Sequence, residues 1–298
     1  IPASVNTKFT EVVNFMDDHQ DEFENWEDLS ADQQRELLRD IEDFDDQWVT
    51  AGTFPEMGIV TPIGLGVAIY DNLAMRVKLD RGIYDPRGYA NLNNDLVFVG
   101  GYARQVAPKI AVGGNLKFIS RRTSGEIRLT ASQFGNAEEI FEEAEDSLQS
   151  AKGGFGLDAG ALFAVNSNLD IGVSIIDLVG NIDGDKTPIN LRTGVAYHYS
   201  RGFVRSSFVK EIIIAGDIDD MFNRAGDHLF NKMHIGVDFI MPIVGVRFGF
   251  NQGYPCFGVG FDFKYVGIDY AYIGNERQNA PRRESAYAHY LQLKFGVL

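Results

Sequence analysis

The chain has 298 residues, 45% of them hydrophobic, enough for one large domain or two small ones. Its formal net charge of -15 is opposite in sign to the footprint that nucleic-acid binding requires, which excludes that class of partner. Mean hydropathy is -0.14, and no stretch approaches the roughly 18–20 apolar residues that a membrane helix needs.

The first stretch reads as helical. Phe9, Val12, Val13, Met16 and Phe23 lie at helix spacing, and Ser30 with Gln33 forms a capping-box start. Leu37, Leu38, Ile41, Phe44 and Trp48 then follow on one stripe. Residues 1–57 are expected to form a helical segment, as an external loop or a plug, with a soluble accessory domain as the blander alternative. The chain opens on Ile1, without Met or a signal peptide, so its start says nothing about compartment.

From residue 58 onward one pattern repeats: about ten residues alternating apolar with small or polar, then a turn. Ile63, Leu65, Val67 and Ile69 oppose Gly64, Gly66, Ala68 and Tyr70. After an expected turn at Asp71-Asn72, Leu73, Met75, Val77 and Leu79 oppose Ala74, Arg76, Lys78 and Asp80. The same holds near the end, where Leu291, Leu293, Phe295 and Val297 oppose Tyr290, Gln292, Lys294 and Gly296. A soluble sandwich also alternates, but its outer row favours Thr, Lys, Glu and Ser. Here the second row holds Gly, Ala and isolated charges, as a barrel lumen does. Gly 32, Phe 22 and Tyr 12 agree: thin inner walls and an aromatic-rich outer face.

About thirteen strands are expected, near 58–70, 73–84, 96–106, 109–121, 153–166, 169–179, 188–200, 203–216, 232–241, 243–251, 255–264, 266–274 and 286–298. Short joins at 71–72, 107–108, 167–168, 201–202, 242 and 265 alternate with longer ones at 85–95, 122–152, 180–187, 217–231, 252–254 and 275–285. Outer-membrane barrels have short periplasmic turns and long external loops. The fold class expected is therefore all-β, a transmembrane antiparallel up-and-down β-barrel over residues 58–298 with helical insertions in external loops. One insertion, near 136–151, would carry Ile140, Phe141, Ala144 and Leu148 on one face after a cap at Asn136. Even strand counts are the rule for such barrels, so parity asks for a fourteenth strand, expected before Ile1.

No nucleophile elbow, phosphate loop, HExxH or metal-spaced Cys/His cluster occurs, so no enzyme, cofactor or metal is expected. Cys256, the only cysteine, reads as a small apolar filler. His19, His198, His228, His234 and His289 are scattered, and polar lining explains His198 and His234. Asp183, Asp185, Asp217, Asp219 and Asp220 lack an EF-hand pattern and read as solvated loop charge. The inferred lumen carries Arg76, Lys78, Asp80, Arg104, Lys117, Asp158, Arg192, His198, Asp238, Arg247, Asp262, Lys264, Asp269 and Lys294. Such groups tune solute selectivity in a wide pore and pair with one another in a narrow one. Pairing is the reading preferred here for most of them.

The segments TPINLRTGVAY (Thr187–Tyr197), IIIAGDIDD (Ile212–Asp220), KMHIGVDF (Lys232–Phe239), VGVRFGFNQGY (Val244–Tyr254), FGVGFDFKYVGIDYAY (Phe257–Tyr272) and YLQLKFGVL follow one another in a characteristic order. With GGFGLDAGALF (Gly153–Phe163) they resemble the FadL/PorV-like outer-membrane barrels, in the branch labelled conjugal-transfer TraF-like or UPF0164. The resemblance covers residues 150–298 well and 58–120 loosely, and implies a fourteen-stranded barrel. Relatives carry an amino-terminal Asn-Pro-Ala motif that this chain lacks, and no ligand-binding residue carries over. The function expected is passive transport of hydrophobic or small solutes across the bacterial outer membrane. The alternative is a non-transporting structural or secretion-associated barrel, and a soluble β-rich binding protein is the third reading. Expected partners are outer-membrane lipid and other envelope proteins.

Overall fold

The computed structural model describes residues 2–43, 48–82, 85–133, 137–200, 209–224, 226–276 and 285–295. Expectations resting on Phe44, Asn136, the 201–202 turn and the 277–284 loop lie outside them. A short strand, β1 (Pro2–Asn6), leads into three helices, α1 (Thr7–Asp18), α2 (Gln20–Glu24) and α3 (Ala31–Asp40). Next come β2 (Trp48–Thr53), β3 (Glu56–Val60), β4 (Leu65–Asp80), β5 (Arg87–Ala107), β6 (Ile110–Thr123), β7 (Ile127–Leu129) and helix α4 (Ala137–Asp146). The remainder is strand: β8 (Lys152–Ala164), β9 (Leu169–Ile182), β10 (Asp185–Lys186), β11 (Asn190–Ser200), β12 (Glu211–Ile218) and β13 (Met233–Ile240). The last are β14 (Val244–Asn251), β15 (Tyr254–Asp262), β16 (Val266–Glu276) and β17 (Ser285–Phe295).

All pairings are antiparallel, and the order runs unbroken round to its own beginning, because β1 pairs with both β17 and β2. β2 and β3 both pair with β4 and form one strand broken at Phe54-Pro55. Proline has no N–H for the ladder, and the Pro55 carbonyl still accepts from Asp71 N at 2.9 Å. With β7 and β10 as short additions, the count is a closed barrel of 14 strands. Parity was right about the number and wrong about the place: the fourteenth strand is β1, after Ile1, and its five residues are too few to show as a period-2 pattern.

Two boundaries differ from expectation for physical reasons. Asp71 and Asn72 make no turn; β4 pairs with β5 without a break from Leu65↔Tyr102 to Asp80↔Arg87. The turn lies earlier, where Gly64 takes φ 87 and Thr61 accepts from Gly64 N at 3.0 Å. Residues 48–60, assigned in part to the helical segment, therefore belong to the barrel wall. Trp48, expected at the end of a helical stripe, is the first residue of β2. The join at 252–253 is also a two-residue hairpin, with Gln252 at φ 54 and Gly253 at φ 82, so loop lengths alternate less strictly than expected.

Directly opposed residues share a face, so the registers sort every strand into two rows. One row holds Val67, Phe98, Phe118, Phe155, Val195, Ile214, Ile235, Phe248, Phe257 and Leu291, all exposed. This is the outer belt. It includes an aromatic cluster where Tyr272 stacks on Tyr287 at 5.1 Å and the Tyr270 hydroxyl meets His289 Nδ1 at 2.8 Å. An exposed apolar band this continuous is satisfied by an apolar solvent and not by water.

The buried core lies at the long-loop end of the barrel. Val49↔Val77, Val77↔Ala90 and Met75↔Leu92 share the face of Ile69↔Phe98, so the outer row continues upward past the belt. There it is covered: Phe23, Trp26, Leu37, Ile41, Ile140 and Ala144 pack with Val49, Val77, Leu79, Ala90 and Leu92. The Ser30/Gln33 capping box forms as expected and starts α3. Each fully buried Val, Leu, Ile or Phe side chain here contributes about 1.5–3 kcal/mol. The helices therefore lean on the outer face of a raised sheet.

Candidate functional site

The inner rows of eight successive barrel strands, from β3 round to β12, enclose a cavity of about 830 Å³. Its wall is mostly small: Gly58, Gly66, Ala68, Gly101, Ala103, Gly113, Gly160, Gly172 and Gly194. Asn115, Asp158, Ser174, Arg192 and Asp217 supply its polar groups. A second hollow of about 500 Å³ lies on the inner face of β12 to β16 and includes Cys256, His234, Asp238 and Arg247. Small inner side chains leave room in the lumen, which explains the glycine content better than any demand for backbone freedom.

Many of the wall charges are tied into two networks. Lys117 Nζ sits 2.9 Å from Asp158 and 2.8 Å from Asp177. On the other side Arg247 bridges Asp238 at 3.3 Å and Asp269 at 3.2 Å, while Lys294 bridges Asp269 at 2.6 Å and Asp262 at 2.7 Å. Several of these contacts reach across an intervening strand, which requires that strand to be bare. A Cβ on Gly156 would lie 2.6 Å from Asp177 Oδ1 and 2.8 Å from Lys117 Cε. On Gly260 it would lie 2.2 Å from Asp269 Oδ1, and on Gly267 2.7 Å from both Asp262 Oδ1 and Lys294 Cε. Each glycine opens a lane for an ion pair two strands wide.

The remaining expected lumen residues fall in different places. Arg76 and Lys78 lie 5.1 Å and 5.6 Å from the Trp48 ring, and Lys78 lies 4.9 Å from Tyr89. Both sit on the inner face of the raised sheet, above the cavity. Asp80 there accepts from Gly82 N at 2.8 Å. Arg192 pairs with Asp219 at 2.6 Å; His198 meets Glu211 at 2.9 Å and Asp170 at 3.4 Å. Arg104 stands opposite Val112, in the row of Tyr102, and so faces outward near the short-turn rim. Lys264 lies in the 263–265 turn, 5.0 Å from the Tyr265 ring. Neither belongs to the lumen wall: alternation holds at Arg104 and puts it in the outer row, and Lys264 lies beyond the end of β15.

Sequence reasoning missed several members of the wall, among them Asp217, which it read as solvated loop charge. Asp177 follows Ile171, Val173 and Ile175 in the outer register. A bulge opposite Leu157/Ala159, with Asp177 at φ 52, rotates it inward, where its N–H donates to Asp158 at 2.9 Å. Asp95 and Arg121 form a bidentate pair, with both N···O distances 2.7 Å. They pair across the register Asp95↔Arg121, which became visible only once β5 was known to start at Arg87. Asp183 and Asp220, read as solvated, pair with Lys152 at 3.1 Å and Lys232 at 3.2 Å. Among the described residues, no three His, Cys, Asp or Glu side chains are grouped to hold a metal ion.

No family model matches the chain, and no curated protein matches it in sequence. Solved structures do match in fold. A monoaromatic hydrocarbon channel, the TodX deltaS2S3 mutant, aligns with TM-score 0.50 at 11% identity, covering 84% of this chain and 85% of that one. The CymD monoaromatic hydrocarbon channel aligns at 0.39 and 10%, covering 89% and 92%. CdiB from Acinetobacter baumannii aligns at 0.40 and 9%, covering 83% and 51%. The first of these agrees with the closed antiparallel β-barrel fold.

Proposed function

We propose that this protein is a bacterial outer-membrane channel through which small, mainly apolar solutes pass passively. The observation that carries the reading is the lumen wall: a cavity of about 830 Å³ lined by glycine and alanine, with charges such as Lys117, Asp158, Arg247 and Asp269 bound to one another. Paired charges hold little free potential with which to capture ions, and small side chains leave a path. The TodX-type neighbour is named for hydrocarbon passage, which supports the same class of solute. The finer placement in the TraF-like branch rests on the order of motifs in residues 150–298. The chain does its work as a conduit, without catalysis.

Liposome swelling and planar-bilayer conductance on the full protein test this. Uptake of small uncharged solutes, with weak ion conductance, is the expected result. Silence on both, from a barrel whose heat-modifiable migration shows it folded, favours the non-transporting alternative. Under that alternative the helical cap, with Phe141 exposed on α4, is the surface offered to an envelope partner.

A further inference from the structure

The connection between β12 and β13, residues 219–232, is built inside out for a loop in water. Lys232 is only 5% exposed, whereas Phe222 is 56%, Leu229 57% and Phe230 58% exposed, and Met221 is also uncovered. The buried ammonium is held by the Asp220 carbonyl at 3.0 Å, the Asp220 carboxylate at 3.2 Å and the Asn223 side chain. Asp220 is itself anchored, its N–H donating to Asn190 Oδ1 at 3.0 Å, and Met221 N donates to Leu191 O at 3.0 Å. Water would favour the reverse arrangement, with the lysine out and the aromatic rings in.

Strand length gives an independent reason. β13 and β14 have 8 residues each, fewer than the ~9–11 a tilted spanning strand needs. At about 3.3 Å per residue and ~40° of tilt they rise roughly 20 Å, against an apolar band of ~25 Å. The two-residue turn at 252–253 adds no height on that side. The outward row of β13, Met233 and Ile235, runs straight into Phe230 and Leu229.

We infer that this loop lies in lipid: Met221, Phe222, Leu229 and Phe230 extend the belt upward over the short strands and bury in the acyl–headgroup boundary. The inference rests on the membrane reading above and adds which loop enters the bilayer. Lys232, clamped beneath, holds its own charge on the protein side, while Arg224 is exposed and reaches the polar headgroup layer. Because the loop supplies the missing height, the bilayer need not thin to meet β13 and β14.

Site-directed spin labelling of the full protein in phosphatidylcholine bilayers tests it. On a Cys256→Ala background, nitroxides are placed at Phe222→Cys and Phe230→Cys, with Ile235→Cys as the belt reference and Arg35→Cys on α3 as the aqueous one. The expected result is high collision with oxygen and low collision with the water-soluble nickel chelate at 222 and 230, matching 235 and several-fold below the nickel value at 35. Nickel access at 222 and 230 equal to that at 35, with 235 still in lipid, overturns the inference and leaves the membrane reading intact. Low access to both reagents overturns it in favour of protein contact. Nickel access at 235 as well would sink the membrane reading itself.

Discussion

Charge on the inner wall is organised by residues that carry none. Gly156, Gly260 and Gly267 each sit between two partners on flanking strands, and their missing Cβ atoms let the ion pairs close. Lys117 depends on this arrangement most, since one ammonium serves Asp158 and Asp177 together and all three are largely shielded from solvent. Replacing Lys117 by Met leaves two adjacent carboxylates without a cation. The expected loss is about 3 kcal/mol, the lower end for breaking a buried pair because the lumen admits some water. Thermal unfolding followed by loss of heat-modifiable migration would measure it, and an unchanged midpoint would show the network to be ornamental. Asp177 marks the limit of reading by alternation: a single bulge reverses the face of one residue, and nothing in a period-2 pattern announces it.

At the scale of elements, the raised sheet and its helices behave as a separate layer. The outer row of β4 is apolar from Leu65 to Leu79 except at Asp71, and the apolar residues on its two sides look alike in sequence although the lower ones meet the outer solvent and the upper ones meet helices. Asp71 and Asn94 mark the border: they are diagonal neighbours in the outer row, opposite Leu96 and Leu73 respectively, and the Asn94 amide donates to Asp71 at 2.6 Å. Phe23 is fully buried in the upper layer. Phe23→Ala is expected to cost about 3–5 kcal/mol there. The loss should be local: limited proteolysis would cut within residues 7–43 while the strands keep their heat-modifiable shift. Loss of that shift at the same temperature would mean that the cap is needed to hold the barrel.

For the molecule as a whole, the lumen reading makes a demand on flux. Gly160 faces the cavity, and a Cβ there meets Val173 O at 3.4 Å and Ser174 Cβ at 3.7 Å, ordinary contacts that permit a side chain. Gly160→Leu should leave folding intact and reduce uptake of small apolar solutes several-fold in the swelling assay. Equal uptake by the variant would mean that solute does not pass this wall. Closure itself rests on a narrow seam, since β1 joins β17 over Pro2–Asn6 and β2 over Ala3–Val5. Gln292 adds a bond to Glu56 at 3.1 Å beyond it.

Much of this was written in the sequence. Period-2 alternation identified the strands from β8 to β17, the two-residue β10 apart, and their apolar row, because a side chain's face in a strand follows from position alone. The Ser30/Gln33 cap was legible for the same reason, being a local hydrogen-bond pattern. Parity required an even barrel, but only pairing could show that Pro2–Asn6 is the closing strand, since five residues acquire an identity from the edges they bridge. Pairing alone also moved the first turn to Gly64 and turned Asp177 inward. Which charges meet on the wall was likewise decided by tertiary structure, because contacts across a strand depend on the register of three chains at once, and a linear pattern records only one.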